Sequence, residues 1–128
     1  MIVLGVDPGT AATGYGVVQA GEPGGPRLLE CGVIRTAPRA RLATRLRTIY
    51  DGLTDVIARH RPDAMAVEDV FYARNARTTL VLGHARGVVL LAGECAGLAV
   101  HEFAPRAIKK AVVGSGAATT SYSRYVVL

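Results

Sequence analysis

Ile2-Val3-Leu4-Gly5-Val6-Asp7-Pro8-Gly9-Thr10 joins a strand-like apolar run to a tight turn. A β-branched apolar run stops abruptly at Asp-Pro-Gly, and a second run, Gly14-Tyr15-Gly16-Val17-Val18, follows. Apolar runs bounded by such turn residues read as strands joined in a hairpin. One carboxylate, Asp7, therefore closes a buried strand. A second carboxylate, Glu68, closes another apolar run, Ala64-Met65-Ala66-Val67. Two strand-terminal carboxylates on neighbouring strands are able to share a divalent metal.

Outward from this stretch, residues 2–7 read as a strand and residues 14–20 as its hairpin partner. The Gly- and Pro-rich segment Gly21-Glu22-Pro23-Gly24-Gly25-Pro26 is a turn. Residues 27–35, with Leu28, Leu29, Val33 and Ile34, supply a third strand. Short connections make the three an antiparallel meander. The period then changes. Leu42, Leu46, Ile49, Leu53, Val56, Ile57 and His60 recur at helical spacing over residues 41–60, and Pro62 ends that amphipathic helix. A helical crossover into the strand at residues 64–68 favours parallel pairing.

A second helix is expected over residues 76–97. It is apolar nearly all round, with Leu80, Val81, Leu82, Val88, Val89, Leu90 and Leu91 among Gly83, Ala85, Gly87, Ala92 and Gly93. Each interior glycine costs about 1 kcal/mol relative to alanine. Two readings fit: a buried central helix, or a subunit interface. Residues 99–103 make a last strand, and Pro105 opens a helix through Val113, closed by Gly114 and Gly116. The order β-β-β-α-β-α-β-α predicts an α/β fold with a mixed sheet flanked by helices. It also predicts Asp7 and Glu68 at the carboxyl ends of adjacent strands.

The 128 residues suit one domain. No apolar run approaches the ~18 residues that span a bilayer. Met1 leads straight into a strand, without the basic region of a signal peptide. Cys31 and Cys95 lie far apart and form no metal-spacing motif, which suits two reduced thiols and a cytoplasmic location. His60, His84 and His101 share no ligand spacing and read as structural. The net charge of +5 and pI near 9.7 point to an anionic partner, of which nucleic acid is the commonest.

Strand-end carboxylates suit Mg²⁺ or Mn²⁺, hard cations that prefer oxygen ligands. Two such ions about 4 Å apart activate water and stabilise the leaving oxygen of a phosphodiester. Two carboxylates do not hold two ions, so further acids are required. Asp69 points the other way from Glu68 if the strand continues. The segment Asp69-Val70-Phe71-Tyr72-Ala73-Arg74-Asn75-Ala76-Arg77 combines aromatics with arginines, a pattern for stacking on unpaired bases and holding phosphates. Lys109 and Lys110 are the only lysines.

At these residues the chain resembles the RuvC family of Holliday junction resolvases, which have a ribonuclease H-like fold. The matching stretches are Gly5-Val6-Asp7-Pro8-Gly9 with Thr13-Gly14-Tyr15-Gly16-Val17-Val18, and Ala66-Val67-Glu68-Asp69-Val70-Phe71. They continue in Leu82-Gly83-His84-Ala85-Arg86-Gly87-Val88 and in residues 105–114, Pro-Arg-Ala-Ile-Lys-Lys-Ala-Val-Val-Gly. The resemblance implies a homodimer that cuts four-way DNA junctions symmetrically with Mg²⁺ or Mn²⁺, alongside junction-binding and branch-migration helicase proteins. It matches Asp7 and Glu68 to metal-binding catalytic acids, and Phe71 to an aromatic that helps open base pairs. Lys109 matches a basic residue near the scissile phosphate. Arg74 and Asn75 fall in the same DNA-contacting segment, and Gly83 and Gly87 on the helix at the dimer interface.

The resemblance covers residues 1–118, a nuclease domain, and leaves 119–128 as an atypical tail. The family's remaining catalytic acids lie on a final helix, whereas no Asp or Glu follows Glu102 here, and Thr119 and Thr120 stand where a lysine is common. The expectation is that this polypeptide alone holds metal weakly and cuts slowly or not at all. A junction-binding dimer that does not cut is the main rival. An actin-like or sugar-kinase-like ATPase shares the core and an Asp-Pro-Gly-Thr loop, but no second Asp-x-Gly follows residue 9.

Overall fold

The structure is a computed structural model that describes residues 1–21, 23–69 and 75–103. Seven elements follow in the order β1 (Ile2–Asp7), β2 (Ala12–Gln19), β3 (Arg27–Arg35), α1 (Leu42–His60), β4 (Ala64–Glu68), α2 (Ala76–Cys95) and β5 (Ala99–Phe103). The expected helix from Pro105 and the tail at 119–128 lie outside the described residues. The strands form one sheet in the order β3-β2-β1-β4-β5. β1 pairs antiparallel with β2, and β2 with β3, giving the expected meander. β4 joins β1 in parallel, and β5 joins β4 in parallel.

Alternation along the strands separates two faces. Leu4, Val6, Val17, Met65 and Val67 point to the helices and pack with Ile49, Leu53, Val56 and Ile57 of α1 and Ala85, Val89 and Ala92 of α2. Fully burying one such aliphatic side chain contributes about 1.5–3 kcal/mol, so this cluster is the main source of stability. The opposite face carries small residues, among them Gly5, Gly14, Gly16, Ala64 and Ala66, and both Asp7 and Glu68.

The bounds of β2 and α2 shift, whereas α1 ends at His60 as expected. β2 starts at Ala12 rather than Gly14, because Ala12 and Thr13 already pair with Arg35 and Ile34. α1 closes on Arg61 in the left-handed region (φ 47°), whose N–H bonds Ile57 O at 2.8 Å. Pro62 follows and disfavours helical backbone at Arg61, which is how the proline acts. α2 ends at Cys95, two residues early, because Gly97 (φ 75°) turns the chain into β5.

Helix α2 is apolar in sequence but one-sided in burial. Ala85, Val89, Ala92 and Gly93 are buried, whereas Leu80, Gly83, Gly87 and Leu91 are exposed. Gly93 permits the close packing: a Cβ there would lie 2.8 Å from Met65 Sδ and Val100 Cγ2. Gly83 and Gly87 have nothing within 4 Å of a built Cβ. The reading as a fully buried central helix therefore fails among the described residues. No helix among them is long and apolar enough to cross a membrane.

Candidate metal and nucleic-acid site

The site grows from the β1–β4 pair. Val6 faces Val67 across the parallel ladder, and Asp7 and Glu68 each come one residue later. Adjacent strands lie about 4.8 Å apart, so the two carboxylates leave neighbouring positions on one face. Glu68 is 7 % exposed, so its charge sits largely out of water. A carboxylate in such a place requires donors or a cation to remain ionised. The donor chemistry, hard oxygens converging at adjacent strand ends, fits a divalent ion. Among the described residues no group of three or more His, Cys, Asp or Glu side chains gathers to hold a metal.

The turn after Asp7 is held by hydroxyls. The Gly9 N–H donates to Thr13 Oγ1 (3.2 Å), and the Thr13 hydroxyl donates to Gly9 O (2.7 Å). Thr10 donates to Val81 O of α2 (3.2 Å), Thr36 donates to Thr10 O (2.6 Å), and Arg45 Nε donates to Thr36 Oγ1 (2.9 Å). Thr10, Thr13 and Thr36 are buried. Gly9 is required by its surroundings, because a Cβ would lie 2.3 Å from Ala12 O. The backbone that presents Asp7 is thereby tied to β2, to the end of β3, and to both helices. Sequence reading missed Thr10, Thr13, Thr36 and Arg45. The signal available was the polar Thr10 and Thr13 flanking a turn otherwise made of Pro, Gly and Ala.

Asp69 leaves the helix side of the sheet, as alternation requires, and pairs with Arg86 of α2 (3.2 Å). Arg86 also pairs with Glu102 of β5. One guanidinium thus clamps the chain directly after Glu68 to the neighbouring strand, a role the sequence reading did not assign. Asn75 caps α2: its Oδ1 accepts from Thr78 N (2.9 Å) and Thr78 Oγ1 (3.0 Å). Phe71, Arg74 and Lys109 lie outside the described residues. Gly83 and Gly87 sit on the exposed side of α2, away from the carboxylates' face of the sheet.

A different cluster lies at the other end of α1. Glu30 of β3 accepts from Tyr15 (2.6 Å) and from Arg59, and lies 2.7 Å from His60 Nε2. The Arg59 guanidinium holds the Glu30 carboxyl down to about 2, against burial that pushes it up; Tyr15 and His60 add to the lowering. Burial, followed by the adjoining Glu30, pushes the Tyr15 phenol up. His60 is thus a structural partner rather than a ligand. Cys31 and Cys95 are free and exposed.

A meander extended by two parallel strands, with carboxylates at the ends of β1 and β4, defines a ribonuclease H-like protein with an acidic site on its sheet. The family model described as crossover junction endodeoxyribonuclease RuvC matches residues 3–128. A crossover junction endodeoxyribonuclease RuvC of Pelotomaculum thermopropionicum is 48 % identical, over 99 % of this chain and 77 % of its own length. That of Halorhodospira halophila is 50 % identical, over 98 % and 74 %. The solved structure of Thermus thermophilus RuvC in complex with Holliday junction substrate has a TM-score of 0.80 and 34 % identity, over 90 % of this chain and 73 % of that one. The chain belongs to the RuvC family of crossover junction endodeoxyribonucleases. The ATPase reading is thereby set aside.

Proposed function

We propose that this chain is a metal-dependent endonuclease of four-way DNA junctions, in recombination and repair, with Asp7 and Glu68 as its metal-holding acids. The observation that carries the reading is the in-register β1–β4 pair, which aligns both carboxylates on one face. Family membership supplies the substrate class. Asp7 and Glu68 would hold Mg²⁺ or Mn²⁺, and the ion supplies Lewis-acid stabilisation of the leaving oxygen and an activated water. The hydroxyl-pinned turn fixes Asp7, and the Arg86 clamp fixes the backbone after Glu68.

On the DNA side, Phe71 stacks at the opened crossover and Arg74 holds phosphate. Asn75 uses its Oδ1 in capping, which leaves its amide nitrogen for DNA; Lys109 approaches the scissile phosphate. Junction symmetry calls for two copies, and the outward side of α2, with Leu80, Gly83, Gly87 and Leu91, is the surface offered to a second chain. Junction-binding and branch-migration helicases are the further partners, in a cytoplasmic setting.

A second reading, junction binding with little cutting, rests on the finding that among the described residues no three His, Cys, Asp or Glu side chains gather. Cleavage and gel shift on one labelled junction separate the two. Metal-dependent paired nicks support the nuclease. Tight binding without nicks in either ion supports the binding module.

A further inference from the structure

Five arginines, Arg35, Arg39, Arg41, Arg45 and Arg47, occur between Glu30 and Asp51 with no acidic residue among them. The topology decides where they go. β3 runs antiparallel to β2, which runs antiparallel to β1, so β3 ends where β1 ends. The link from β3 to α1 therefore starts at the same end of the sheet as Asp7. Arg35 pairs with Ala12, two positions from Gly14, which itself faces Asp7. Directly opposed residues and alternate residues share a face, so Arg35 lies on the carboxylates' face. It stands two strands across and two residues along from Asp7, about 12 Å at ordinary strand geometry.

The pairing pattern sets these arginines apart. Arg47 pairs with Asp51, Arg59 with Glu30 and Asp55, and Arg86 with Asp69 and Glu102. Arg35, Arg39 and Arg41 are exposed, and among the described residues none has an ion-pair partner. Arg45 is engaged with Thr36, which ties the link to the turn after Asp7. Unpaired, uncompensated guanidiniums on one edge make an electrostatic footprint for phosphates.

We infer that Arg35, Arg39 and Arg41 form a second phosphate-contacting strip, on the β3 side of the carboxylates, along which one duplex arm of the bound DNA runs. This rests on the junction reading for its substrate. In the sheet β4 stands on the other side of β1 from β3, so the strip adds a contact on the flank of the carboxylates away from β4. The strip contacts backbone phosphates and touches no reacting atom, so its loss is read as weaker and less salt-dependent binding.

The test compares Arg39→Ala/Arg41→Ala with Arg27→Ala/Arg61→Ala. The second pair is also exposed and without ion-pair partners among the described residues, but stands at the opposite end of the sheet. Both double variants lose the same charge. Binding to a four-way junction and to a linear duplex is titrated across salt. Each lost phosphate contact lowers the log-log salt slope by about 0.9, so the Arg39/Arg41 variant is expected to lose about 1–2 in slope and the control close to none. Equal slopes for the two variants overturn the strip. A wild-type chain without preference for junction over duplex overturns the junction reading instead. The slope difference on linear duplex then still supports the strip.

Discussion

The hydroxyl of Thr10 donates to the carbonyl oxygen of Val81 at 3.2 Å, joining the turn that follows Asp7 to the first half of α2. Val81 O also belongs to the helix ladder, so Thr10 adds a bond to a carbonyl already in use. The link couples the backbone presenting one acid to the helix whose outer side is proposed as the dimer surface. Thr10→Val keeps the shape and removes the donor. It should cost about 1 kcal/mol, as a single hydrogen bond does. For a domain of this size the melting temperature should fall by about 4 °C. Thr10→Ser should restore both stability and the metal concentration that half-saturates cleavage. Calorimetry with a metal titration checks this.

Glycines in crowded and in open surroundings should respond oppositely. Gly9→Ala forces a Cβ against Ala12 O, a backbone atom that no rotamer change relieves. This variant should lose stability and cleavage together. Gly83→Ala and Gly87→Ala meet open space within the protomer. Each should stabilise the isolated protomer by up to about 1 kcal/mol through helix propensity. If the outer side of α2 is the dimer surface, the same two substitutions weaken self-association, read by analytical ultracentrifugation. Stable variants with unchanged dimerisation would remove α2 from the interface.

Glu30 makes stability depend on acid. Folding lowers its pKa from 4.5 to about 2, so the ionised carboxylate favours the folded state. That contribution is complete above the unfolded value and disappears as pH falls through about 2. Wild type should therefore lose more stability than Glu30→Gln between about pH 5 and pH 2, and the two curves should converge at the acid end. Thermal unfolding across this range measures it.

Much of this architecture was legible because the strands are short apolar runs with hard stops. β3, β4 and β5 fall where composition placed them, and the parallel pairing of β4 with β1 followed from the helical crossover. The adjacency of Asp7 and Glu68 came with it. The one-sided burial of α2 was not legible, since Leu80 and Leu91 look no different in sequence from Val89. The clamp at Arg86 and the hydroxyl links of Thr10 and Thr36 depend on elements distant in the chain, which periodicity does not report. Arg35, Arg39 and Arg41 read only as net charge until the topology brought them to the end of the sheet that bears Asp7.

If Asp7 and Glu68 together hold the metal for junction cleavage, a labelled four-way junction in Mn²⁺ will show it. Wild type is compared with Asp7→Asn and Glu68→Gln, and binding is followed in parallel. Paired, metal-dependent nicks should appear in wild type and vanish in both variants while the junction remains bound. Nicking that persists in either variant would contradict the shared metal role.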